Sequence, residues 1–192
     1  MKDVINNPTP PSASFDLLNT LMGVKIIDMV RYSWWPADEV AAECNIREEQ
    51  AFALTAGPLG IVFENGRILG LASDPAMNSV VVWDEGARRS TSSNVTLDQD
   101  DELFPISAQD EVHSAPFWKQ VIGGTLAQLT ILKRNIMSAK ERELPSELGL
   151  RFQLQNGLIF VASHGLHNGS DDFSVLEESQ LAPIELKELA IN

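Results

Sequence analysis

Residues 58 to 74 read PLGIVFENGRILGLASD. Ile61 and Phe63 alternate with Val62 and Glu64, Asn65-Gly66 interrupts the run, and Ile68 to Ala72 return as a second apolar segment. Alternation at period two marks a half-buried strand, and Asn-Gly favours the positive φ angles of a type I′ turn, so the stretch reads as a β-hairpin. The phrase then recurs. Residues 147 to 164 read ELGLRFQLQNGLIFVASH, in which Leu148 to Phe152 and Leu158 to Ala162 flank Asn156-Gly157.

The flanks repeat as well. Before the first hairpin, Phe15, Leu17, Leu18, Leu21 and Met22 share one face of a short helix, with Ser14 as its N-cap and Gly23 as its stop. Val24 to Trp35 read as a strand with Ile26, Asp28, Val30 and Tyr32 on one side and Ile27, Met29 and Arg31 on the other. Pro36 closes it, Ala37 to Cys44 suit a short helix, and residues 48 to 55 fit helix and strand equally. Asn78 to Trp83 follow as a β-branched strand. Before the second hairpin, Phe117, Trp118, Val121 and Ile122 mark a helix ended by Gly123-Gly124, and Thr125 to Leu132 alternate as a strand. Phe173 to Leu176 supply another.

Leu21-Met22-Gly23 falls on Val121-Ile122-Gly123 at an offset of 100, and the hairpins match at 89 to 91, with Phe63 on Phe152, Ala72-Ser73 on Ala162-Ser163 and Asn78 on Asn168. Constant order with small changes of offset is what loop insertions produce in an internal repeat. The expected fold is therefore α+β, two similar halves, each a short helix plus a mainly antiparallel sheet with an Asn-Gly hairpin, packed into one globule. Residues 1–14 form a flexible N-terminal tail, 15–85 the first repeat, 86–114 a polar and acidic connector, and 115–192 the second repeat. One half has too few strands to cover both faces of its sheet, so the halves should share a core.

Charge narrows the partners. The 192 residues carry 27 acidic and 14 basic side chains, a formal net charge of -13. Nucleic-acid binding needs clustered cations, so direct contact with nucleic acid is not expected, whereas a basic protein partner is permitted. Charged or glycine residues interrupt each apolar stretch before it reaches the roughly 18 residues of a membrane span. MKDVINNPTPPSASF lacks the basic start and apolar core of a secretory signal, and Cys44 stands alone, so a cytoplasmic location is expected.

Motifs for phosphate loops, dinucleotides, serine hydrolases and zincins do not occur, and neither an enzyme nor a cofactor is expected. Weaker constellations remain. His164 and His167 with Asp171 and Asp172 are types that ligate a divalent metal, Cys44 and His113 could pair as nucleophile and base, and Asp98-Gln99-Asp100-Asp101-Glu102 could hold Ca²⁺. The last run lacks the glycine and distal glutamate of an EF-hand, and reads better as a solvated loop or an anionic docking patch. Adjacent residues of a strand face opposite ways, so Trp34 and Trp35 are either buried in two layers or one is an exposed anchor, and Trp83-Asp84-Glu85 pose the same choice. Where the copies differ, after Ser73 and Ser163, a binding surface is sought. The partner-binding candidates are Trp35, Trp83, Asp84, Glu85, Asp98, Asp100, Asp101, Glu102, His167, Asp171 and Asp172.

The blocks GPLGIVFENGRILGLASDPAMNSVVVW and LGLRFQLQNGLIFVASHGLHNGSDDFSV, in a small acidic chain, resemble in style the immunity proteins of bacterial polymorphic toxin systems. The resemblance covers about half of the chain and carries no diagnostic motif, so it assigns no residue a role. It implies a cognate toxin protein as partner, a basic nuclease-like one where charge steers the encounter, neutralised by occlusion of its active or substrate-binding surface. Two other readings stay open: a small-molecule-binding or regulatory module in the cleft between the repeats, and a metal-dependent enzyme using His164 and His167. The oligomeric state is open as well.

Overall fold

The computed structural model describes residues 7–90 and 95–191, so residues 1–6 of the expected tail, 91–94 of the expected connector and residue 192 lie outside it. The first half contains α1 (Phe15–Asn19), β1 (Ile26–Ser33), α2 (Ala37–Glu43), α3 (Ala51–Leu54), β2 (Leu59–Phe63), β3 (Ile68–Asp74), β4 (Ser79–Asp84), α4 (Glu85–Arg89) and β5 (Phe104–Ser107). The second contains α5 (Pro116–Val121), β6 (Leu126–Arg134), α6 (Ala139–Glu143), β7 (Gly149–Leu154), β8 (Ile159–His164), β9 (Phe173–Glu177) and β10 (Leu186–Ile191). The strands make two antiparallel five-stranded sheets, in the orders β4-β3-β2-β1-β5 and β9-β8-β7-β6-β10. The fold is α+β with two similar halves. Among the described residues no helix is long and apolar enough to cross a membrane.

Register shows how closely the halves correspond. Met29 pairs with Ile61 and Leu129 with Phe152, Leu59 pairs with Leu71 and Leu150 with Ala162. Equivalent residues therefore lie 100 apart in β1 and β6 and 91 apart through both hairpins. The match of Phe63 to Phe152 is two residues out of register, and that of Ser73 to Ser163 is one out: Phe63 corresponds to Leu154 and Ser73 to His164. In the last strand of each meander, Val82 pairs with Leu71 and Val175 with Ala162, an offset of 93, so the second loop is longer by two residues and Asn78 does not correspond to Asn168.

The turns differ from the expected type. Gly66 and Gly157 have φ of 83° and 86°, while Asn65 and Asn156 do not take positive φ. Gly66 N–H donates to the Phe63 carbonyl and Phe63 N–H to the Arg67 carbonyl, both at 2.9 Å, which closes a three-residue loop with a glycine bulge; the second hairpin repeats the pattern. The asparagine side chain accepts from the N–H two residues on, at 3.1 Å in each copy. A second bulge corrects the facing of β1. Register shifts between Ile26 and Asp28, and equally between Leu126 and Gln128, so Ile26 joins Met29 and Arg31 on the inner face and Ile27 is left 47% exposed.

The inner faces of both sheets build one core, with Met29, Leu59, Ile61, Leu71 and Val82 from the first sheet and Leu129, Leu150, Phe152, Phe160 and Val175 from the second. Trp118 of α5 is buried in it, its ring 5.2 Å from that of Phe52 in α3 and 5.9 Å from that of Phe160. Burial of each large apolar side chain contributes about 1.5–3 kcal/mol. The halves also cross where β1 and β6 begin. Gly23 N–H donates to the Leu126 carbonyl and Gly123 N–H to the Ile26 carbonyl, both at 2.8 Å. Ile26 N–H donates to Gly124 and Leu126 N–H to Val24, both at 2.9 Å, so the junction is a pair of reciprocal bonds.

Segments expected to be irregular take part. Residues of the tail lie along β4, where Thr9 and Val82 exchange backbone bonds of 3.0 and 2.8 Å. Ser14 stands at the N-cap of α1, but its hydroxyl pairs with that of Thr9 at 2.6 Å instead of capping. Within the expected connector, β5 pairs with β1, and Leu97 and Leu103 cover the outer face of the first sheet over Val81, Trp83 and Tyr32. Residues 48–54 resolve as a 3-10 turn followed by α3.

Candidate functional site

Three of the candidate residues hold the fold together. Trp83 is 4% exposed, its indole lying on the outer face of the first sheet where Gly60 and Gly70 are directly paired; a side chain at Gly70 runs into the indole. The indole N–H donates to the Glu85 carboxylate, which also accepts the Leu97 N–H at 2.6 Å. Glu85 is itself 2% exposed, and the guanidinium of Arg88 lies 5.0 Å from the Trp83 ring centroid. Asp84 caps α4 by accepting the Ala87 N–H at 3.0 Å and pairs with Arg67 at 2.8 Å. These groups bolt the polar segment onto the sheet, and Arg67, Trp83 and Asp84 also line a cavity of about 550 Å³ together with Phe15 and Leu17 of α1.

The acidic run is different. Asp98 accepts from the Thr96 hydroxyl, which holds its carboxyl below the usual range, and pairs with Arg89 at 2.7 Å. Asp100 turns the chain by accepting the Glu102 N–H, and Asp101 and Glu102 are exposed. The run leads directly into β5, which is an edge strand bonded to β1 on one side. Phe104, opposite Ser33, is 38% exposed, and Trp34, the next residue of the β1 strand's exit, is 52% exposed. Of the two adjacent tryptophans, Trp34 is thus the exposed one and Trp35 is half-buried against the core. Asp38 of α2 is exposed and lies 3.2 Å from His113, which is also 3.2 Å from Asp110, beyond the far end of β5 from Phe104. Burial pushes the Asp110 carboxyl up, but the His113 and Val112 N–H groups outweigh it and leave it below the ordinary value.

The remaining candidates gather elsewhere. A cleft of about 540 Å³ separates Trp35, Glu43, Cys44, Asn45, Ile46, Leu54 and Ala56 of the first half from the longer β8–β9 loop of the second. That loop contributes His167, Asn168, Ser170 and Asp172 to the wall. Asp171 is not in the wall; it lies 3.7 Å from His164, which is 2% exposed. Burial pushes the His164 imidazole below its usual value against the opposing pull of Asp171 and Asp74, and its Nδ1 has no hydrogen-bond partner. His164 and His167 are therefore not a pair, one being buried and the other exposed. Among the described residues no group of three or more His, Cys, Asp or Glu side chains is placed to hold a metal ion. His113 is engaged by Asp38 and Asp110, while Cys44 faces the cleft.

Beneath the cleft lies a residue that periodicity placed on a strand face without a role. Arg31 is 0% exposed, and its five N–H groups donate to five backbone carbonyls instead of to a carboxylate. Gly57 accepts at 2.9 Å, Phe52 at 3.2 Å and Ala53 at 3.0 Å, Thr55 also accepts, and Phe173 accepts at 2.6 Å. The guanidinium also stacks on the Phe173 ring, 4.7 Å from its centroid. Burial pushes its pKa well below the ordinary guanidinium value, to about 9, which still leaves it cationic at neutral pH. The exit of α3 and the start of β9 are thus tied across the two halves directly under the cleft floor. Comparison of the chain with protein-family models, curated proteins and solved structures finds no match.

Proposed function

We propose that the chain works by binding, without catalysis, and that it engages a basic protein through the end of the first sheet where β1 and β5 meet. The observation that carries this is the exposure of Trp34, just beyond the end of β1, and of Phe104, on the edge strand β5 that follows the Asp98–Glu102 run, 52% and 38%. Tryptophan is enriched among binding hot spots, and an edge strand offers unpaired N–H and carbonyl groups to a partner backbone. The net charge of -13 steers a cationic surface toward the protein, with an effect that fades as salt rises. In the reading implied by the resemblance to immunity proteins, the partner is a cognate bacterial toxin whose basic substrate surface is occluded.

Co-expression with the toxin encoded beside the gene tests this. The expected result is restored growth with the wild-type chain, and loss of protection with the Trp34→Ser, Phe104→Ser double variant, whose circular dichroism and thermal midpoint stay unchanged. Equal protection by the double variant, or complex formation indifferent to ionic strength, sinks the proposed surface. A second reading, binding of a small molecule between the halves, is favoured by the cleft itself, whose volume falls within the usual range of roughly 300–1,000 Å³.

A further inference from the structure

We propose that the cleft between the halves is a binding site for an organic cation, an ammonium or guanidinium group on a small body, an inference that rests on the second reading above. Its ionised walls are one-signed. Glu43 comes from the end of α2 and Asp172 from the opposite loop, and no lysine or arginine is part of the lining. A carboxylate on each side of a gap is the arrangement that holds a cation between them.

Other groups agree in chemistry. Trp35 forms part of the wall, and an indole face attracts a cation within about 6 Å of its centroid. Asn45, Asn168 and Ser170 add polar groups, and Asn45 is held at φ 52°, a left-handed conformation uncommon outside glycine. Asp172 is positioned by the Ser170 hydroxyl, 3.1 Å away.

The buried charge of Arg31 opposes a cation placed deep in the floor. It therefore fixes where the cation sits: between the rim carboxylates, with the uncharged part of the ligand toward Leu54, Ala56 and Phe173. The site also depends on what distinguishes the halves, because the loop carrying Asp172 is longer by two residues than its counterpart after β3.

Cys44 is the single cysteine of the chain and lines the cleft, so its rate of alkylation by iodoacetamide in the full-length protein reads occupancy. The probes are agmatine, as a free cation, and Nα-acetyl-arginine-N-methylamide, as the side chain of a protein partner, with glutarate as the anionic control. Saturable protection by agmatine or by the capped arginine supports the inference, and which of the two binds more tightly tells a free metabolite from a partner side chain. Glu43→Gln and Asp172→Asn, both at exposed positions, should each weaken protection about two- to fivefold, as loss of a solvent-exposed ion pair does. Amide chemical shifts of residues 43–46 and 165–174 should move with the same affinity. Protection by glutarate in preference to the cations would overturn the charge assignment while leaving a ligand cleft in place. No saturable protection by any probe, with no shift in those amides, would overturn both.

Discussion

Replacing Arg31 with methionine keeps much of the side-chain volume and removes all five donors. Five buried carbonyls then lose an acceptor bond, and a buried polar group left unsatisfied costs about 1–3 kcal/mol. Taking the low end for each gives roughly 5 kcal/mol of destabilisation. Against this stands relief from burying the charge. The depression of the guanidinium to about 9 by burial is the sign of that cost, which amounts to several kcal/mol for a buried ion. The difference should be a loss of about 3 kcal/mol, measured as the change in unfolding free energy in urea. Arg31→Lys should fare little better, because three rotating donors cannot serve five carbonyls spread over two segments. The counterpart position supplies the control: Ile131 occupies the same place in the second sheet, and Ile131→Met should cost less than about 1.5 kcal/mol. Hydrogen exchange should show the loss confined to residues 52–57 and the start of β9. If Arg31→Met falls within about 0.5 kcal/mol of the wild type, the carbonyls are satisfied some other way and the reasoning fails.

Three further outcomes follow from the geometry. The folded-state pKa of His164 lies below its unfolded value, so the unfolded chain binds the extra proton; stability should be fully present above about pH 6.5 and fall as pH is lowered through that value, and His164→Gln should flatten the fall in urea midpoint between about pH 7.5 and 5. Gly70→Ala drives a methyl into the Trp83 indole and should cost about 1–3 kcal/mol with a changed tryptophan emission spectrum, an unshifted spectrum and midpoint counting against the packing described. Asp84→Ala removes both the cap of α4 and the Arg67 pair, and should lower stability by about 1–2 kcal/mol in thermal or urea unfolding while leaving the second half's exchange protection intact.

The hairpins and the doubled order of elements could be read from the chain because Asn-Gly and period-two alternation are local signals. The register between copies could not. It depends on a bulge at Ile26 and on loop lengths, so a residue-type match such as Ser73 with Ser163 is one place out and lands on the opposite face. Two of the edge strands, β5 and β10, were also hidden: FPIS contains a proline and LKELAI carries a Lys-Glu pair that breaks its apolar pattern, since each is paired on one side and partly faces solvent. Arg31 and Glu85 were illegible for a different reason. A charged residue in a strand reads as a solvent face, and what makes it a core residue is a set of backbone partners contributed from elsewhere in the chain, such as Phe173 and Leu97. Trp35, His167 and Asp172 were picked for separate reasons, and only folding brings them to one cleft.

The reciprocal bonds that join Gly23 to Leu126 and Gly123 to Ile26 bear on how the chain assembles as well as on how it holds. Each half presents to its sibling nearly the same short backbone edge that it receives, with about a hundred residues of chain between the two. Closure across that separation is entropically slow, so the junction should form late in refolding, after the local hairpins. In the interval a second molecule can offer the same edge, and the segment between the halves can serve as a hinge. Refolding at high protein concentration should therefore trap a swapped dimer, visible by size-exclusion chromatography and absent when refolding is dilute. A monomer at every concentration would mean that the junction closes before the chains can meet.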